Sequence, residues 1–404
     1  MRLFTVLTEK STTEANLKLI FALTLVHFTG DFYSSFVTPL IPVYVDTFSL
    51  SLAQAGLITG LARLLAFVVQ PPVGYFADRY RTRAFVLGGP LLAVVFISLS
   101  GAASSFPLLL ACVCIGSVGS AMFHPSTAGM VATYAGKHLG FSMSLFNMGG
   151  TAAFGVGPMF ITLFVGAYGL RAMPVTMVLG LGLILFLFRT VPAPLGEGLR
   201  GMGFLGSLRE VFGEVWKQML LIMVVMMLRA AVGQSFLTFI PLICSERGFP
   251  LVEIGAVVSI FTIIGAVSGV VAGHSADRVG YRSIFLLAHG LSTPSLLLLL
   301  MLPGRWIYLG AALAGFFVMA TLPLGVAMAQ ELAPKGRSMA SSLMMGFALG
   351  MGGTMTIVTG SLADRFSIQS VLFALALVPA FSMLLIARLP KSTSIAGTRN
   401  SPVK

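Results

Sequence analysis

The sequence predicts an all-α membrane protein with twelve transmembrane helices in two six-helix pseudo-repeats. Composition is the first sign: hydrophobic residues make up 57% of the 404-residue chain and charged residues 9%, with a mean hydropathy of +0.97. Soluble proteins carry about 25% charged residues. Length is the second, because at roughly 20 residues per span plus short loops the chain has room for about twelve crossings. The third is an internal repeat. With an offset of 199 residues, Pro42 falls on Pro241, Gly56 on Gly255, Gly74 on Gly273, Asp78 on Asp277, Arg79 on Arg278 and Arg83 on Arg282, without a gap.

Apolar runs bounded by turn or charge punctuation lie at about 17–41, 52–77, 83–103, 106–133, 139–166 and 170–191 in the first half. The second half repeats the pattern at about 218–243, 251–276, 282–302, 305–332, 338–363 and 367–388. The first run holds a carboxylate, Asp31, one helical turn after His27. The fourth contains Phe123-His124-Pro125, where proline frees a backbone carbonyl and bends the helix. The fifth is rich in glycine from Gly149 and Gly150 to Gly157-Pro158, a pattern suited to close helix packing. Between the halves, Pro192, Pro194 and Gly196 open a break, after which Leu205, Leu208, Val211, Phe212, Val215 and Trp216 recur at helical spacing. That segment reads as an amphipathic helix on the membrane surface. The expected organisation is a bundle over 1–191, a cytoplasmic linker over 192–217, and a second bundle with a cytoplasmic tail over 218–404.

The net charge of +12 is topological. Most Lys and Arg fall on alternate loops and the tails, leaving Arg171, Arg247, Arg305 and Arg365 on the other side and Arg63 and Arg229 within spans. The positive-inside rule then puts both termini in the cytoplasm of a cell whose inner membrane holds the protein, and argues against nucleic acid as a partner. Cys112, Cys114 and Cys244 sit in or beside apolar runs, so neither a disulfide nor a cysteine metal site is expected. No removable signal peptide is apparent before the first span.

The loop Gly74-Tyr-Phe-Ala-Asp78-Arg79-Tyr-Arg81-Thr-Arg83 and its copy from Gly273 through Asp277, Arg278 and Arg282 resemble the signature of the major facilitator superfamily. The resemblance implies a secondary transporter with two rocking halves and a midplane site, and makes Gly74, Asp78, Arg79, Arg83, Gly273, Asp277, Arg278 and Arg282 gating residues. Asp78 is expected to dock on the start of the eleventh helix near Ser338. A third run, Gly360-Ser-Leu-Ala-Asp364-Arg365, looks similar but falls on the opposite side, and no equivalent role is expected for it. Within the superfamily, His27 and Asp31, Gln70-Pro71, Phe123-His124-Pro125 and the fifth-span glycines resemble the fosmidomycin-resistance branch, which exports a small anionic phosphonate and other drugs by proton exchange. Ser126 stands where that branch is expected to carry glutamate, Gly30 precedes Asp31 where asparagine is expected, and Arg63 is an added charge.

An ionisable group at membrane depth costs roughly 2.5–3.5 kcal/mol on insertion scales and normally faces a cavity or a partner. Asp31 and His27 are the candidates for proton coupling. Arg63, Arg229, His124, Tyr33, Asn147 and Gln234 are the candidates for binding substrate, with Asp31 and Arg229 expected as matched, oppositely charged sides of one central site. Two intramembrane arginines against one aspartate favour a small organic anion or amphiphilic drug, since arginine grips a carboxylate or phosphonate bidentately. The alternative open at this point is that Asp31 forms a static ion pair with either arginine. His289 is expected to be a satisfied packing histidine.

The expected function is a proton-coupled exporter working by alternating access as a monomer, with neither cofactor nor metal and no enzyme activity. Import of a small carboxylate is the alternative. A metal-ion transporter using His27, Asp31 and His124 is disfavoured by the nearby arginines. An intramembrane hydrolase lacks a second converging set of ligands among five scattered histidines. A non-transporting sensor on the same fold is the other rival. A nucleotide-binding loop is absent, so ATP is not expected to drive the protein.

Overall fold

The computed structural model describes residues 16–79, 82–135, 139–193, 213, 215–333, 340 and 343–389, and those are all helices, turns and short connections with no strand among them. The first six helices are α1 (Leu17–Phe48), α2 (Leu52–Arg79), α3 (Gly88–Ser100), α4 (Phe106–Tyr134), α5 (Leu139–Tyr168) and α6 (Leu170–Thr190). The second six are α7 (Trp216–Glu246), α8 (Leu251–Val279), α9 (Tyr281–Met301), α10 (Gly304–Ala329), α11 (Gly346–Phe366) and α12 (Ile368–Ile386). Among the described residues eleven are long and apolar enough to cross a membrane, and α3 is a shorter apolar helix. The run predicted over 83–103 shortens because residues 84–87 form turns, where Thr82 Oγ1 accepts a hydrogen bond from the Ala84 N–H. Most of the predicted linker helix lies outside the described residues.

Prolines lie inside the long helices, each removing one backbone hydrogen bond: Pro125 in α4, Pro158 in α5, Pro241 in α7 and Pro294 in α9. In α1 the break comes at the 3₁₀ turn Thr38–Leu40, and a π-turn at Leu343–Ala348 leads into α11 and overlaps its first residues. The start of α1 is fixed twice: the Asn16 side chain accepts from the Leu19 N–H at 3.1 Å, and the Asn16 N–H donates to the Tyr134 carbonyl at the end of α4.

The two halves meet along two antiparallel seams. On α2 and α11, Gly56 lies against the backbone of Thr356, whose hydroxyl donates to the Gly56 carbonyl at 3.0 Å. Thr238 of α7 donates to Thr59 at 3.0 Å, and Thr59 to Thr356 at 3.3 Å. On α5 and α8, Thr262 donates to the Phe154 carbonyl at 3.0 Å and Gly255 abuts Pro158 and Thr162. Past that point Met148 on α5 and Val267 and Val270 on α8 are exposed.

The α2–α11 seam is closed at its end by Asp364. Its carboxylate accepts from the Leu52 N–H at 2.7 Å and the Ala53 N–H at 2.9 Å, capping the N-terminus of α2 from the opposite half of the molecule. Gly360 permits this approach, since a Cβ there would strike the Leu52 backbone. The expectation that the third signature-like run has no role is therefore corrected. It performs, at the Leu52 end of the molecule, the helix-capping chemistry expected of Asp78 at the other.

Candidate functional site

His27 and Asp31 lie on one face of α1, and the α5 glycines bring a second backbone against that face. A Cβ on Gly150 would sit 2.5 Å from His27 Nε2 and 2.8 Å from Asp31 Oδ2, and one on Gly149 2.7 Å from the Thr24 carbonyl. Close packing is thus what these glycines provide. It puts the Phe146 carbonyl 2.8 Å from His27 Nδ1 and stacks the Phe146 ring on His27 at 4.1 Å. The other ring nitrogen, Nε2, is 3.1 Å from Asp31 Oδ2.

The third member comes from α4. His124 Nδ1 is 2.7 Å from the Ser120 carbonyl, Phe123 stacks on the ring at 4.2 Å, and Nε2 lies 3.3 Å from Asp31 Oδ1. The two imidazoles meet edge to face, 5.0 Å between centroids. Both Asp31 contacts are at ion-pair distance, but Oδ1 is buried without a hydrogen bond, so the His124 link is open in direction. Access differs sharply across the cluster: the side chains of His27 and Asp31 are 8% and 4% exposed, that of His124 32%. His124 is the most exposed member of the cluster.

A carbonyl oxygen only accepts, so each Nδ1 carries its hydrogen and each Nε2 is left to face the carboxylate. A hydrogen bond between Nε2 and a carboxylate oxygen then needs one proton placed between them, on either atom. One such proton would join His27 to Asp31 and a second would join His124. The second adds one positive charge to the cluster.

Arg63 of α2 is half-buried, packed by its Cβ and Cγ against Gly353 of α11, and its charge acts on both Asp31 and His124. It forms no ion pair among the described residues, where the contacts of Asp31 with His27 and His124 are the ion pairs present. The ligand atoms of His27, Asp31 and His124 lie within 4.8 Å of one another, a spacing that suits a metal, but the Arg63 charge opposes a divalent cation there.

The expected pairing of Arg229 with Asp31 is corrected. Arg229 does not face Asp31 across a shared site; it is 5% exposed and turned into the second half, where Nη1 donates to the Val318 carbonyl at 3.4 Å. Tyr33 is interhelical glue: its hydroxyl donates to the Thr176 carbonyl at 2.5 Å and accepts from the Gly180 N–H at 2.9 Å. Asn147 is exposed and Gln234 half-buried, and neither forms a hydrogen bond among the described residues. His289 is unsatisfied at Nε2.

Of the gating residues, Arg83 donates to the Phe188 carbonyl at 3.1 Å and lies over the Phe188 ring. Arg278 is exposed and Arg282 half-buried. No atom of the described residues lies within 4 Å of where a Cβ on Gly273 would stand. Gly74, Asp78 and Arg79 belong to α2 and Asp277 to α8, but the surroundings of these four residues, like the Ser338 region, lie outside the described residues.

Sequence reasoning placed His124 near Asp31 but missed the capping by Asp364 and the proximity of Arg229 to His289. A signal existed only for the first, in the recurrence of the Gly-x-x-x-Asp-Arg pattern at Gly360–Arg365.

Comparison with known proteins agrees with this architecture. The chain is 26% identical over 387 residues to the fosmidomycin resistance protein of Escherichia coli, covering 93% of this chain and 94% of that one. It is 25% identical over 371 residues to the uncharacterized MFS-type transporter YfnC of Bacillus subtilis, covering 89% of each. Its fold matches an inward-facing, unoccupied bacterial homolog of the human lysosomal transporter Spinster with a TM-score of 0.77 at 18% identity, over 95% of this chain and 98% of that one. It matches the nucleoside transporter NupG at 0.74 and 16%, over 96% and 100%. A family model, Major Facilitator Superfamily, matches residues 23–338 and 250–402. The chain belongs to the Major Facilitator Superfamily.

Proposed function

We propose that the protein is a proton-coupled transporter of a small organic anion or amphiphilic drug, exporting it across the cytoplasmic membrane by alternating access, with both termini in the cytoplasm. The observation that carries the proton coupling is the His27–Asp31–His124 cluster: one closed link, one open link, and a third-exposed imidazole between the carboxylate and solvent. Loading a proton through His124 closes the second link, and releasing it reopens that link. The affinity for anions rests on Arg63, a charge without an ion-pair partner beside this cluster. Export is supported by the similarity to the fosmidomycin resistance protein.

A second reading, import of a small carboxylate with its proton, draws support from the charge count. Closing the second link adds positive charge next to Arg63 and strengthens the hold on an anion, which is the sign required when proton and substrate move together. Proteoliposomes with an imposed pH gradient separate the two, using fosmidomycin, a simple carboxylate and a cationic drug in turn. Export by exchange predicts anion movement against the proton flux; import predicts movement with it. Arg63→Ala retaining wild-type uptake of both anions refutes the assignment of Arg63.

A further inference from the structure

A second buried site lies inside the second half, independent of the proton-coupling cluster. Arg229 of α7 and His289 of α9 line one cavity with Ser292, Ser382, Val318 and Val378. Arg229 is 5% and His289 3% exposed, and Arg229 Nε and His289 Nε2 are both buried without a hydrogen bond. The remaining groups at the cavity do not answer the charge. The Ser292 hydroxyl is spent on the Ala288 carbonyl and that of Ser382 on the Pro379 carbonyl, both at 2.7 Å, and Met319 sulfur is 3.7 Å from Arg229 Nη1. No carboxylate is among the lining residues.

A guanidinium stays charged in a protein interior, and a buried charge left unpaired is strongly destabilising. A water here carries no charge and would leave that of the guanidinium unbalanced. The cavity is small, about 10 Å³, a scale that suits a single monatomic occupant. We propose that it binds one monatomic anion, chloride under ordinary conditions, between Arg229 Nε–H and His289.

His289 sets a condition on that binding. Its Nδ1 lies 3.0 Å from the Phe285 carbonyl and so carries the ring hydrogen of the neutral form. Nε2 faces an anion favourably only after gaining a proton. Halide and proton therefore enter together, and Arg229 and His289 are the titratable or charged residues lining the cavity. The chloride site is thus a pH-dependent stabiliser of the second half, built from residues outside the His27–Asp31–His124 cluster.

Thermal unfolding of the purified protein in detergent tests this, with sodium chloride or bromide set against sodium gluconate at equal ionic strength across a pH series. Halide is expected to raise Tm over gluconate. Its half-effect concentration is expected to rise about tenfold per pH unit on the alkaline side, as one proton per anion requires. Arg229→Met removes the halide effect; His289→Gln, whose amide donates at any pH, keeps it and removes its pH dependence. Should Arg229→Met fail to fold, bromide-soaked crystals of the wild type decide through an anomalous peak beside Arg229 Nε. Equal Tm in halide and gluconate at every pH, a halide effect independent of pH in the wild type, or no bromide peak at Arg229 overturns the proposal.

Discussion

Asp364 holds the two halves together at one end of the α2–α11 seam, and removing its carboxylate tilts the conformational balance by a calculable amount. It accepts two backbone hydrogen bonds, at 2.7 and 2.9 Å, from Leu52 and Ala53 in the first turn of α2. Charge-assisted bonds of this type contribute about 1.5–3 kcal/mol each when buried, but Asp364 is exposed and solvent screens it. The range for losing a helix N-cap, about 0.5–2 kcal/mol, is the appropriate one. If opening the seam breaks both contacts, Asp364→Ala lowers the closed-to-open ratio by about 2- to 30-fold. Asp364→Asn, which keeps one acceptor oxygen and loses the charge, falls between. Spin labels on Thr47→Cys and Arg365→Cys, with Cys112, Cys114 and Cys244 replaced, report the seam by pulsed electron resonance. An unchanged distance distribution in Asp364→Ala refutes the reasoning.

Three further substitutions separate packing from function. Gly150→Ala drives a Cβ to within 2.5 Å of His27 Nε2 and displaces the cluster, so transport falls by at least about tenfold in protein that still inserts and folds. Gly273→Ala meets no atom within 4 Å and, as a helix-interior glycine, gains about 0.5–1 kcal/mol of stability with transport intact. Tyr33→Phe strands the Thr176 carbonyl and the Gly180 N–H; it lowers Tm by an amount corresponding to about 1–3 kcal/mol and leaves KM unchanged, whereas a substrate-binding tyrosine would raise KM.

Much of the fold was legible because membrane helices obey a strong one-dimensional constraint. Twenty apolar residues in a row have few alternatives in lipid, so the helical class and the approximate span number followed from hydropathy. Asp31 stood out for the same reason, as a charge where charge is costly, and His27 followed from the one-turn spacing. What the sequence did not disclose is which face of each helix meets which neighbour. Arg229 and Asp31 occupy nearly matching places in the repeat, yet Arg229 turns into its own bundle toward Val318 while Asp31 takes its partners from α1 and α4. Helix rotation of that kind is set by side-chain packing across the bundle, and a periodic pattern alone leaves it open. Tyr33 illustrates the same limit: its hydroxyl reads as a polar group suited to a cavity, but it reaches Thr176 and Gly180 on α6, more than a hundred residues away in the chain.

The central claim is that proton movement passes through Asp31 and its two histidines, and proton uptake during substrate counterflow tests it most directly. In proteoliposomes carrying an internal pH indicator, with fosmidomycin as probe, the wild type moves protons with each round of net transport. Asp31→Asn is predicted to bind the probe and exchange it across the membrane at equilibrium while moving no protons. Asp31→Asn carrying protons at the wild-type ratio would contradict the account and return the aspartate to a purely structural place between His27 and His124.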